Sequence, residues 1–204
     1  MEARLYSFVR GSSTANRTLS GPLTTAAAAP PTEGNPVQIL IIRHASAEER
    51  SAFAATGKSD DRRPLTDEGR RKMTEAAKGL RALVPHLDVI AASPLVRAQQ
   101  TAAIVAKAYR IADVETTSTL TPNAQPASFA KWAQAYVNHD VVAVVGHEPH
   151  LATLVTWLLS GRADSHVVLK KGGACLVECD GAPGPATGRL HWLLTPAMLR
   201  RMAE

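Results

Sequence analysis

Aromatic residues are scarce: three Phe, three Tyr and three Trp make up 4% of the 204 residues. There is no Lys/Arg run either, so a surface that stacks on bases or tracks a phosphate backbone has little to build on. No apolar run reaches about 18 residues, which argues against a transmembrane helix. No apolar h-region opens the chain, which argues against a secretory signal. Cysteine is also short. Cys175 and Cys179 sit in one expected strand, CLVEC, where their Cα atoms would be roughly 13 Å apart. A disulfide needs less than about 7 Å, and two thiols alone make a weak zinc site. Both are read as reduced thiols in a reducing compartment. Together these absences point to a cytoplasmic protein without nucleic-acid or membrane partners. They say nothing about oligomeric state.

What remains is ordinary globular composition, 45% hydrophobic and 20% charged, in a chain long enough for one domain with a full core. The net charge of +5 favours anionic ligands in general. Residues 1–36 stand apart. They contain GSSTANRTLSG and TTAAAAPPTEGNP, with many small residues and no core periodicity. Such a segment cannot bury enough apolar surface to offset its ordering entropy. Arg4, Arg10 and Arg17 against Glu2 and Glu33 give it the look of an organelle transit peptide, which would direct the protein to an organelle matrix. A disordered extension, or a start codon set too far upstream, fits the same composition. The folded domain is therefore expected over 37–204.

Residues 37–46, VQILIIRHAS, anchor that domain. Gln38 to Ile42 are almost wholly aliphatic, as in a strand buried on both faces. Arg43 and His44 follow where such a strand runs out, and open α/β sheets place ligands beyond the carboxyl ends of their strands. An arginine there suits phosphate; a histidine there can be a nucleophile, a base or a ligand. Taken alone, the pair could also be no more than a basic strand end.

After it, 47–63 is polar and loop-like. A helix follows, with Thr66 as N-cap, Asp67 and Glu68 in its first turn, and Met73, Ala76, Ala77, Leu80 and Leu83 on one face until Pro85. Residues 88–92, DVIAA, make a second strand, and LVRAQQTAAIVAKAY a second helix with Arg97 in its first turn. A cation there opposes the helix dipole unless an anion sits nearby. Phe129, Trp132, Ala133 and Tyr136 mark a third helix. VVAVV, 141–145, is another buried strand; it ends in GHEPH, and the helix LATLVTWLLS closes on Gly161. His147 thus repeats the position of His44. Two or three shorter strands and a helix over 198–202 complete the chain. HEPH lacks the HExxH spacing that puts two histidines on one helix face, so His150, like His86, His139, His166 and His191, is read as a surface or supporting residue and no metal is expected.

Strands alternating with helices imply an α/β sheet whose loops at one end share a crevice. Arg43, His44, Arg97 and His147 would converge there as a cationic pocket for one tetrahedral dianion. Arg43-His44-Ala45, Arg63-Pro64-Leu65-Thr66, the run SPLVRAQQTA from Ser93 to Ala102, and Gly146-His147-Glu148-Pro149, in that order, resemble the histidine phosphatase superfamily, in its branch of SixA-type phosphohistidine phosphatases. The resemblance covers nearly all of 37–203.

It implies a three-layer α/β/α fold with a mixed, mostly parallel central sheet. It implies a phosphatase that works through a phosphohistidine intermediate on His44, with Arg43, Arg97 and His147 as catalytic groups that bind the phosphoryl oxygens, and with no cofactor or metal. Two departures stand out. Ala45 replaces the family's usual glycine, and 119–123, TLTPN, lacks the acid that protonates a leaving group in many members. Glu48, Glu115 and Glu148 are the candidate substitutes. The missing acid and the separation of only fifty positions between Arg97 and His147, too short to add a lid, favour a phosphohistidine-bearing protein as substrate. A small-metabolite phosphatase, a phosphoglycerate mutase-like enzyme and a phosphate-binding pseudophosphatase are the alternatives.

Overall fold

Strand β1, Val37–Arg43, lies inside the sheet and feeds two cores at once. Leu40 and Ile42 pack on one face, Ile39 and Ile41 on the other, because successive side chains of a strand point to opposite sides. This is why the sequence there is aliphatic without alternation. The computed structural model describes residues 36–203. The expectation for the N-terminal extension therefore falls on residues outside the described ones, Pro36 apart.

Five further strands complete the sheet: β2 Val89–Ala92, β3 Glu115–Thr116, β4 Val141–Gly146, β5 Ala174–Cys179 and β6 Gly188–Leu194, in the order β3-β2-β4-β1-β5-β6. β3, β2, β4 and β1 run parallel; β5 is antiparallel to β1, and β6 to β5. One face carries α2 Asp67–Leu83, α3 Val96–Tyr109 and α6 Pro196–Arg201, and the other carries α4 Pro126–Ala133 and α5 His150–Ser160. The expected three-layer α/β/α architecture with a mixed, mostly parallel sheet is the one observed.

Most elements begin and end where local chemistry sets them. Thr66 Oγ1 accepts from the Gly69 amide at 3.0 Å and caps α2. Met73, Ala76, Ala77 and Leu80 form its buried face, but Leu83 is exposed and Val84, just past the helix, takes the buried place instead. Gly161 closes α5 in the left-handed region, φ 74°. The stretch 47–63 is more ordered than its polarity suggests. It holds α1, Arg50–Ala54, anchored by buried Phe53, and a 3₁₀ turn, Asp60–Arg62. Cys175 and Cys179 are free and buried, and burial raises the Cys175 thiol to about 12, so neither thiol is poised to react.

The parallel strands end together. Arg43 pairs with Gly146, and the zipper continues past the strands: the His44 amide donates to the Gly146 carbonyl and the Ser93 amide to the Val145 carbonyl, each at 3.0 Å. Residues following β1, β2 and β4 are thereby held side by side at one edge of the sheet.

Candidate active site

His44, Ser93 and His147 leave this edge from three neighbouring strands. A cavity of about 470 Å³ opens there, lined by Arg43, His44, Arg97 and His147 together with Glu48, Glu49, Arg50, Arg63, Lys171, Pro122 and Glu148 among others. All four residues expected to share a crevice meet in it.

The loop carrying His44 is fixed from three directions. The Ala45 amide donates to Thr101 Oγ1 at 3.0 Å, and that hydroxyl donates in turn to the Arg97 carbonyl at 2.7 Å. The Gly172 amide is shared between the Arg43 and His44 carbonyls at 3.1 Å each, from a turn that needs glycine because φ is 75°. The Arg63-Pro64-Leu65-Thr66 segment pairs with the chain after His44: Ala47 bridges Leu65, the Glu48 amide donates to the Pro64 carbonyl, and the Thr66 amide to the Ser46 carbonyl. Gly69 completes this seam, since a Cβ there would stand 2.1 Å from the Ser46 oxygen. Gln100 supports it from α3 by accepting from the Leu65 amide at 2.8 Å.

The two histidine rings lie 5.0 Å apart, tilted by 52°. His44 Nδ1 meets the Ala45 carbonyl at 2.8 Å; a carbonyl only accepts, so Nδ1 carries the hydrogen and Nε2 keeps a bare lone pair. His147 is arranged the other way. Its Nε2 is 2.9 Å from Ser93 Oγ, a hydroxyl able to donate to the ring or accept from it, which also accepts a long contact from the Leu95 amide. With Ser93 as the donor, the His147 hydrogen sits on Nδ1, the ring atom left without a partner. Burial pulls His44 down to about 3, with Arg97, Arg43 and Lys171 adding to the shift. Burial pulls His147 down to about 2, with repulsion from His44, were it protonated, and from Arg97 next. Both rings are neutral at pH 7, so the positive charge of the pocket comes from guanidinium and ammonium groups, not from all four expected residues.

Arg43 is half-buried and donates to the Leu169 carbonyl at 2.6 Å. Arg97 is 2% exposed, far from a solvated surface arginine. Its Nη1 donates to the Asp60 carbonyl at 2.9 Å and its Nη2 sits 3.2 Å from Asp60 Oδ2. Asp60 is the anion that the helix position called for. Arg43 Nε, Arg97 Nε and His147 Nδ1 are buried and have no hydrogen-bond partner among the described residues. Buried donors of this kind are rare unless a ligand takes them.

Of the three candidate proton donors, Glu48 and Glu148 line the cavity. Glu148 is anchored there by the Leu169 amide, which donates to it at 3.2 Å. Glu115 does not reach the site: on edge strand β3, its carboxylate accepts from Trp132 Nε1 at 2.7 Å and from the Tyr136 hydroxyl. His150 is buried rather than at the surface, as the first residue of α5. Sequence reasoning missed Asp60, Ser93, Thr101 and Lys171. Asp60 left one local signal, an acid three residues before Arg63, to which it is paired at 2.8 Å. Ser93 and Thr101 lie in the run SPLVRAQQTA, but their contacts, like those of Lys171, act across the fold and left no local signal of their roles. Among the described residues, no group of three or more His, Cys, Asp or Glu side chains is placed to hold a metal ion, and no helix is long and apolar enough to cross a membrane.

Comparison with known proteins follows the same lines. The sequence model of the histidine phosphatase superfamily (branch 1) matches residues 39–122. An uncharacterized protein of Picosynechococcus sp. is 30% identical over 139 residues, covering 67% of this chain and 82% of that protein. The phosphohistidine phosphatase SixA of Escherichia coli strain K12 is 26% identical over 167 residues, 80% of this chain and 97% of that protein. The solved structure of the protein histidine phosphatase SixA complexed with tungstate superposes with a TM-score of 0.69 at 26% identity, over 80% of this chain and 99% of that one. The chain is a phosphatase of the histidine phosphatase superfamily and belongs to its SixA-type branch.

Proposed function

We propose that the protein dephosphorylates a phosphohistidine-bearing protein through a phosphohistidine intermediate on its own His44. The observation that carries the reading is the pair of neutral histidines with opposite ring nitrogens free. His44 Nε2 attacks phosphorus, a new N–P bond forms and the substrate's nitrogen leaves with the bonding pair and a proton. Arg43, Arg97 and His147 Nδ1 donate to the three oxygens, over which transition-state charge spreads. Water then attacks the His44 phosphoryl group, the N–P bond breaks, inorganic phosphate departs and His44 returns to its neutral form.

The substrate class rests on two further observations. Between Arg97 and His147 the chain is spent on α3, β3, α4, β4 and two 3₁₀ turns, and only Pro122 of the stretch between α3 and β4 lines the cavity. A histidine on a folded surface could therefore reach His44. No carboxylate comes from 119–123, and a phosphoramidate nitrogen, unlike an alkoxide, can be protonated before it leaves. A second reading, a small-metabolite phosphatase, draws on Glu48 and Glu148, either of which could protonate an ester oxygen from the cavity wall.

The test compares kcat/KM for a phosphohistidine protein, a phosphoserine peptide, sugar phosphates and nitrophenyl phosphate. The phosphohistidine protein is expected to exceed the alkyl phosphates by at least about tenfold, equivalent to ~1.4 kcal/mol in transition-state binding. Equal or faster turnover of an alkyl phosphate would select the second reading.

A further inference from the structure

Asp60 is the residue at the site whose contacts the family chemistry leaves unused. It belongs to the 3₁₀ turn between α1 and α2, and arginines from three places converge on it. Arg63 Nε lies 2.8 Å and Arg50 Nε 3.6 Å from Oδ1, while Arg97 Nη2 lies 3.2 Å from Oδ2. The backbone adds a fourth contact, since the Asp60 carbonyl accepts from Arg97 Nη1 at 2.9 Å. Arg63 is itself buried and donates from Nη1 to the Glu48 carbonyl at 2.8 Å, so the turn is tied to the wall of the cavity.

Arg97 is thus gripped at both terminal nitrogens, which leaves Nε buried and unpartnered. We infer that Asp60 is a positioning residue for the phosphate site, holding the Arg97 guanidinium so that its Nε edge meets a phosphoryl oxygen. The inference rests on the phosphate-site reading above and adds a consequence to it. A carboxylate beside Arg97 repels the anion that the guanidinium attracts. Asp60 therefore trades ground-state anion affinity for orientation. An interaction used for orientation acts on kcat more than on KM, because only the transition state needs the exact donor geometry.

Two variants separate orientation from charge. Asp60→Ala removes both. It is expected to lower kcat by about tenfold or more while KM moves by less than about threefold. Asp60→Asn keeps a carbonyl oxygen that can accept from Arg97 or Arg63 and removes the charge. It is expected to hold kcat within about threefold of wild type and to bind inorganic phosphate several-fold tighter, about the effect of one removed charge a few ångströms away in a wet site. The third measurement is the nitrogen-15 NMR signal of the Arg97 Nε–H group in the full chain, which should shift when inorganic phosphate is added to wild type and lose that response in Asp60→Ala.

If both variants keep wild-type kcat/KM and phosphate affinity, the inference is overturned. It is also overturned if both lose activity only in proportion to lost folded protein, with phosphate affinity per folded molecule unchanged, because that marks a purely structural ion pair. A wild-type enzyme that turns over phosphate compounds while its Arg97 Nε–H signal ignores phosphate overturns this inference and leaves the phosphatase reading intact. A phosphate response at Arg97 that depends on Asp60, in an enzyme with no turnover, supports the inference and removes the catalytic reading.

Discussion

His44 and His147 occupy matching places, one residue past the ends of two neighbouring parallel strands, and share burial and neutrality. They differ in what holds them. His44 bonds through Nδ1 to the carbonyl of the next residue, a local contact, whereas His147 bonds through Nε2 to Ser93, which arrives from the end of β2. One ring therefore turns a lone pair to the cavity, and the other, with Ser93 as the donor, is left with an N–H. The difference teaches that position in the fold supplies a histidine, while its hydrogen-bond partner decides whether it can attack or donate. The His44 tautomer is fixed within two residues; that of His147 depends on a contact 54 positions away.

The comparison breaks most visibly when each ring is removed. His44→Ala is expected to abolish turnover with the fold retained, and acid-quenched wild type should carry an acid-labile, base-stable phosphate on His44. A label on another residue would remove His44 from its role. His147→Ala keeps the nucleophile, so it should still form labelled His44, about 10²–10³ slower, the usual cost of one positioned donor. If His147→Ala is as dead as His44→Ala and takes no label, the two roles are not distinct.

Much of this was legible before the fold was known. Arg43, His44 and His147 follow aliphatic runs that read as buried strands, and Arg97 follows Pro94 into a helix. Each is marked by a switch of local pattern, and parallel strands then bring the ends together. The partners were not legible. Asp60 meets Arg97 across 37 positions, and Thr101 meets Ala45 across 56, in contacts that no local periodicity records. Glu115 shows the converse. An acid near the expected donor region sits on an edge strand and is consumed by Trp132 and Tyr136. The Ala47–Arg63 stretch reads as loop because its polar surface hides one buried anchor, Phe53, and a charge cluster that folds it against α3.

Ser93→Ala sharpens the comparison, because it touches one histidine and spares the other. It removes the hydrogen-bond partner of His147 Nε2 and leaves that ring free to exchange tautomers, with no change at His44. A neutral hydrogen bond contributes about 1 kcal/mol, or roughly fivefold. The loss should appear in kcat/KM and in the rate of His44 labelling. Long-range proton–nitrogen NMR should report a mixed His147 tautomer beside an unchanged His44. A mixed His44 tautomer in the same variant would show that the two rings are coupled and that the local contact does not suffice.

The smallest effect is expected from pH, since burial moves both rings the same way and cannot separate them. A histidine titrating at 6.5 would be about one-tenth neutral at pH 5.5 and would lose about tenfold in rate. With His44 lowered to about 3 and His147 to about 2, kcat at saturating substrate should change by less than about twofold between pH 5.5 and 7.5. The acid cost falls on folding instead. The native rings stay unprotonated down to about 3 and 2, while the same histidines in the unfolded chain bind protons from about 6.5 downward. The unfolded state thus holds more protons in that window, so stability falls as pH drops from 6.5 toward 3. Each such histidine contributes a slope of up to about 1.4 kcal/mol per pH unit. His44→Ala should flatten the fall of Tm between pH 6.5 and 5 relative to wild type, and His147→Ala should flatten it similarly. An acid limb in kcat near pH 6.5, with parallel Tm profiles for wild type and both variants, would show that the rings are ordinary solvated histidines and would end the comparison on which the mechanism stands.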